Sequence, residues 1–141
     1  MIREKSCGAV IYYVHTNNEK YYLIERAKKG HKSLCKGHVE NNETEIETAL
    51  REIREETGLK VKIEDGFRET IEYAPYQGCM KEVVFFVARA SSLEVTPQES
   101  EVSEIYRLPY TSAMSTLTHQ SDKDVLTKAR EFLMGRDEAA V

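Results

Sequence analysis

Hydrophobic residues follow two patterns along the 141-residue chain. Short β-branched and aromatic runs alternate with polar turns, and two longer stretches repeat apolar residues at helical spacing. Cys7–Val14 predicts a buried strand, His15–Glu19 has turn chemistry, and Tyr21–Ile24 predicts the return strand. Residues 27–42 show no sustained period and are expected to form a loop. From about Glu43 to Thr57, Ile46, Ala49, Leu50 and Ile53 recur at helical spacing and predict a helix that buries them. Asn41 or Asn42 is the expected N-cap, and Gly58 the left-handed stop.

Strands are expected at Lys60–Ile63, over alternating Phe67, Glu69, Ile71 and Tyr73, and at Val102–Leu108. Val83–Ala88 is apolar at every position, which predicts a strand covered on both faces. Ala74–Gly78 reads as a loop. Val125, Leu126, Ala129, Phe132 and Leu133 predict a second helix over Asp122–Met134, with the tail from Gly135 expected to fray. These elements make a mixed α+β fold in one domain, residues 1–141.

Composition narrows the class. With 40% hydrophobic residues, 7 Gly and 3 Pro, the chain can bury a core, which excludes a disordered or fibrous protein. No apolar stretch approaches the roughly 18 residues of a membrane span, and Met1–Lys5 lacks a secretory signal's apolar run. The expectation is a cytoplasmic protein with no membrane partner. Cys7, Cys35 and Cys79 are scattered and odd in number, so they suggest neither a disulfide framework nor a zinc ribbon. Cys35 adjoins Lys36, a neighbour that lowers a thiol pKa.

Charge is more informative in its distribution than in its sum. The net charge is -4, which argues against duplex nucleic acid as a partner but leaves an RNA 5′ end open. Arg26–His38 holds five Lys/Arg, two His and no acid, whereas Glu40–Glu56 holds seven Glu against Arg51 and Arg54. Within the acidic block, Glu52, Glu55 and Glu56 stand at i, i+3 and i+4, on one arc of a helix. Clustered carboxylates repel, and a hard divalent cation removes that repulsion. Mg²⁺, with Mn²⁺ as an alternative, takes carboxylate oxygens together with water and phosphate. Such a site beside a basic loop points to hydrolysis or transfer at phosphorus.

The residues Gly37-x5-Glu43-x7-Arg51-Glu52-Ile53-x-Glu55-Glu56-x-Gly58-Leu59 fill every fixed position of the Nudix box over residues 37–59. By this resemblance the chain is identified as a member of the Nudix hydrolase family. The resemblance implies an α/β/α sandwich with a mixed sheet between helices. It implies that Glu52, Glu55 and Glu56 bind metal, joined by the Gly37 carbonyl, while Glu43, Arg51 and Gly58 are structural. The general base would be a box glutamate or a later one, Glu99 or Glu101.

Lys36-Gly37-His38-Val39-Glu40, Thr48-Ala49-Leu50, Gly66-Phe67 and Phe85-Phe86 resemble asymmetric diadenosine tetraphosphate (Ap4A) hydrolases in particular. That likeness implies Lys36, His38 and Lys81 near phosphates and Tyr73 or Tyr76 near adenine, with Glu101 at the downstream catalytic position. Lys32 and Cys35 stand where this subfamily has Trp and Pro. The implied reaction is Mg²⁺-dependent hydrolysis of Ap4A to ATP and AMP by metal-activated water. The alternatives are a pyrophosphatase for ordinary or oxidised nucleoside triphosphates, and a non-catalytic nucleotide sensor. In each case the partner is a small nucleoside polyphosphate, and the chain is a monomer or homodimer.

Overall fold

The computed structural model describes residues 1–97 and 101–139. Its first strand, β1 (Ile2–Val14), forms a hairpin with β2 (Lys20–Ala27). Asn18, at φ 68°, takes the left-handed position of that turn, which Asn tolerates. The expected 27–42 loop instead contains two short strands, β3 (Lys32–Ser33) and β4 (Cys35–His38). They are too short to display a period. Tertiary pairing fixes them, β3 on β2 and β4 along residues 6–9 of β1.

Helix α1 (Glu45–Thr57) is capped by Thr44 rather than by Asn41 or Asn42. The Glu47 backbone N–H donates to Thr44 Oγ1 and the Glu47 carboxylate accepts from Thr44 N–H, a reciprocal box that satisfies two otherwise orphaned donors. Asn41 and Asn42 both have positive φ and turn the chain into the helix. Gly58, at φ 76°, ends it as the pattern predicts.

Strands β5 (Val61–Ile63), β6 (Glu69–Tyr73), β7 (Cys79–Ala90) and β8 (Val102–Pro109) complete a mixed sheet. The path runs β3-β2-β1-β7-β5, with β4 on β1, β6 on β7 and β8 on β2. The β1–β7 pairing is parallel, and the others are antiparallel. Two helices follow, α2 (Tyr110–Thr116) and α3 (Gln120–Ala139). The second continues past Gly135 instead of fraying there. Helix α2 and its C-cap carry Tyr110, Ala113, Met114 and Leu117 at helical spacing, but at seven residues the helix is too short for that period to stand out from the sequence. Packing of Ala113 and of Leu117 just beyond it holds the turn in place.

The sheet is covered on both faces. Val10, Tyr12, Ile24, Phe85 and Val87 pack beneath α2 and α3, while Ala9, Ile11, Leu23, Val84 and Phe86 pack beneath α1. Strand alternation divides neighbouring residues between these two cores. The result is the expected α/β/α sandwich. Helix α1, however, buries only Ala49 and Ile53 of the stripe its sequence suggests. Ile46 and Leu50 remain 43% and 37% exposed, and the buried line is Ala49, Glu52, Ile53, Glu56. Two carboxylates therefore lie on the inward face of the helix.

Candidate functional site

A cleft of about 270 Å³ opens between α1, β2 and β4. Glu25, Glu52, Glu56 and Gly37 form an acidic wall, and Lys36, Lys81, His31 and His38 supply basic groups around it. Glu101 stands exposed at the rim. Most of the residues singled out from sequence thus meet in one place.

Each wall residue has a local cause. Gly37 packs directly on the helix: a Cβ there would lie 1.9 Å from Glu52 Cδ, so the backbone can approach the carboxylate only because the side chain is absent. Arg51 orients the acidic segment. Its Nε and Nη2 donate to the Glu43 carboxylate at 2.7 and 3.0 Å, and its Nη1 donates to Glu52 Oε1 at 2.8 Å. A further bond from Nη2 to the His38 carbonyl ties the β4 loop to the helix. Glu43 also accepts from Thr48 Oγ1 and Glu40 N–H, and the Arg51 guanidinium holds its carboxyl down to about 2. Arg51 reaches Glu55 as well (3.1 Å) but not Glu47, which is engaged in the helix cap.

Glu55 and Tyr76 stand apart from the cleft. Glu55 faces a groove on the other flank of α1, beside Leu50, Arg54 and Leu59. The half-exposed Tyr76 donates its hydroxyl to Glu4. Tyr73 lines a second cavity of about 240 Å³ with Ile71, His119 and Asp122, and this cavity shares His31 and Lys36 with the cleft. Burial holds the Asp122 carboxyl above its usual range, while burial and then Lys36 lower the His31 imidazole. Burial, followed by Lys36, likewise lowers the Lys81 ammonium. Glu99 lies outside the described residues.

One wall residue is absent from the sequence reading. Glu25, 5% exposed, lies two residues beyond buried Leu23 on the α1 face of β2. Its signal, the shared parity with Leu23, lay just past the Tyr21–Ile24 run that predicts the strand. Burial pushes the Glu56 carboxyl far up, and the adjacent Glu25 adds to the rise. Burial raises Glu25 too. Two inward carboxylates this close hold one proton between them in the absence of a cation. Cys35 does not have the lowered thiol pKa that its neighbour Lys36 suggests. It is fully buried with Sγ 3.6 Å from Glu56 Oε2, and burial together with Glu25 and Glu56 raises its thiol well above normal.

These residues fit a hard divalent cation. Glu25 Oε2 and Ser6 Oγ, both on the cleft, are buried without a hydrogen-bond partner among the described residues. Orphaned oxygens beside a carboxylate pair and a close-packed glycine are a donor set suited to Mg²⁺ or Mn²⁺.

The fold and site define a class of protein, and comparison supplies the family. The NUDIX domain model matches residues 5–129, so the chain belongs to the Nudix family and is a Nudix hydrolase. Among its relatives is the mouse asymmetrical bis(5′-nucleosyl)-tetraphosphatase, 31% identical over 92% of this chain and 95% of that protein. An 8-oxo-(d)GTP phosphatase of Mycolicibacterium smegmatis is 32% identical, over 81% of this chain but 34% of its own length. Among solved structures, a binary complex of C. elegans Ap4A hydrolase superposes with a TM-score of 0.85 at 25% identity, covering 94% and 98% of the two chains. No helix of the described residues is long and apolar enough to cross a membrane.

Proposed function

We propose that this Nudix hydrolase splits Ap4A asymmetrically, adding water to give ATP and AMP, with Mg²⁺ or Mn²⁺ as cofactor. The observation that carries the reading is the opposition of walls in one cleft, with an acidic face ending in Glu25 Oε2, which has no hydrogen-bond partner among the described residues, and basic groups at Lys36, Lys81 and His38. A polyphosphate needs both, a cation on one side and ammonium groups on the other. The full-length match to an asymmetrical tetraphosphatase favours Ap4A over a triphosphate.

Glu25, Glu52, Glu56 and the Gly37 carbonyl would hold the cation. When bound, it offsets phosphate charge and acidifies a water. Arg51 keeps Glu52 in place, so its carboxylate need not reorganise as substrate enters. Lys36 and Lys81 donate to phosphate oxygens, whose charge grows as the bridging P–O bond breaks. His38 lies on the same path. Glu101 has no hydrogen bond or ion pair among the described residues, which suits it to take the proton of the attacking water. The adjoining cavity, with Tyr73 and His119, suits one nucleoside. A nucleoside held on one side of the polyphosphate is what makes the cut asymmetric.

The test is chromatography of products from Ap4A, dGTP and 8-oxo-dGTP, with Mg²⁺ or EDTA. ATP and AMP in equal amounts from Ap4A, abolished by EDTA, is the expected result. Pyrophosphate released from triphosphates while Ap4A stays intact would replace this reading with a triphosphate pyrophosphatase.

A further inference from the structure

Strand β4 delivers a thiol into the acidic end of the cleft. Cys35 is 1% exposed, and its Sγ, a Glu25 oxygen and a Glu56 oxygen all lie within 4.8 Å of one another. The thiol is held there by the backbone. Cys35 pairs with Ala9, and the chain crosses so close to Gly8 that a Cβ at Gly8 would lie 1.9 Å from the Cys35 carbonyl oxygen. Independently, Glu25 Oε2 is buried in the same place with no hydrogen-bond partner among the described residues. Polyphosphate hydrolysis has no use for sulfur here, because Mg²⁺ takes oxygen ligands and makes poor bonds to thiolates.

Two carboxylates and one sulfur in a closed triangle are instead a donor set for a softer ion. Zn²⁺, Co²⁺ and Cd²⁺ accept mixed sulfur and oxygen ligands at low coordination number. We propose that Glu25, Cys35 and Glu56 form a thiophilic cation site for a Zn²⁺-class ion, overlapping the Mg²⁺ site at Glu25 and Glu56. This rests on the reading of the Glu56 end of the cleft as a cation site. The sulfur–metal bond forms as the thiol proton leaves to solvent, with no change of oxidation state. Because Glu25 and Glu56 are shared, occupancy by the softer ion excludes Mg²⁺ and makes the enzyme sensitive to zinc.

Cd²⁺ titration of the whole protein, followed by the sulfur-to-cadmium charge-transfer absorption, tests this beside a Mn²⁺ titration read by electron paramagnetic resonance. The wild type should develop the band with one equivalent of Cd²⁺. Cys35→Ser should lose the band and bind Cd²⁺ about 100-fold more weakly, since even groups behind a ligand are worth 10–100-fold in affinity. Its Mn²⁺ affinity should stay unchanged. A band that survives Cys35→Ser, or no band in a wild type that binds Mn²⁺, overturns the proposal and leaves the Mg²⁺ reading standing. A wild type that binds no Mn²⁺ removes that reading as well. If Cys35→Ser does not fold, cadmium NMR of the wild type decides: a resonance in the sulfur-ligated range supports the proposal, and one in the all-oxygen range overturns it.

Discussion

Replacing Glu56 with Gln gives a stability change whose sign depends on the buried carboxylate pair. In the cation-free protein Glu25 and Glu56 face each other inside the cleft, both pushed up by burial. The folded state therefore keeps a proton that the unfolded chain, with Glu near 4.3, releases in mildly acidic solution. When the folded state binds one more proton, stability is greatest below the unfolded pKa and falls as pH rises. One proton corresponds to about 1.4 kcal/mol per pH unit. Between pH 5 and 7 this pair alone should cost the cation-free wild type about 3 kcal/mol. Glu56→Gln keeps the shape, lets the amide donate to Glu25 and removes the extra proton. Urea unfolding in EDTA at half-unit pH steps should show the variant gaining on the wild type as pH rises, by about 1.4 kcal/mol per unit. The comparison cancels other titrating groups, including Asp122 and His31. Mg²⁺ should flatten the wild-type slope and leave the variant unaffected. Parallel stability profiles for the two proteins in EDTA would refute the shared proton.

Other expectations follow from individual contacts. Gly37→Ala brings a Cβ against the Glu52 carboxyl, so Mn²⁺ affinity measured by paramagnetic resonance should fall about 10- to 100-fold with little change in unfolding free energy. Lys81→Met removes an ammonium group from the basic side of the cleft. Its KM for Ap4A should rise about 10- to 100-fold, matching the roughly 1.5–3 kcal/mol of a hydrogen bond to a charged group. Thr44→Ala breaks the α1 cap and should lower stability by about 1 kcal/mol in urea unfolding, with Mg²⁺-dependent turnover retained.

The box glutamates were legible because their spacing is both a helical arc and a family pattern. Which way they point was not. Reading Ile46 and Leu50 into the buried stripe beside Ala49 and Ile53 put the carboxylates to one side of it, whereas Glu52 and Glu56 themselves share the inward line with Ala49 and Ile53. Hydrophobic periodicity misleads here because two positions of the inward line are carboxylates of the site rather than apolar residues. Glu25 escaped for the same reason. Taken alone it reads as the polar end of a strand, and only tertiary packing encloses it, with β3 and β8 paired on either side and Cys35 and Glu56 over its face. Cys35 shows the limit of sequence neighbours. Lys36 is adjacent in the chain but projects to the opposite side of β4, so the thiol meets two carboxylates instead of an ammonium. The sheet runs Val83–Ala88 and Cys7–Val14 were legible, because strands covered on both faces are apolar at successive positions, buried at every residue from Val83 to Ala88 and from Cys7 to Tyr12.

The most direct test of the account is an anomalous difference map from crystals soaked in Mn²⁺. A peak is expected in the cleft bounded by carboxylate oxygens of Glu25, Glu52 and Glu56 and the Gly37 carbonyl, absent from Glu56→Gln crystals. A Mn²⁺ peak on the outer flank of α1 at Glu55, with the inward carboxylates left without metal, would contradict it.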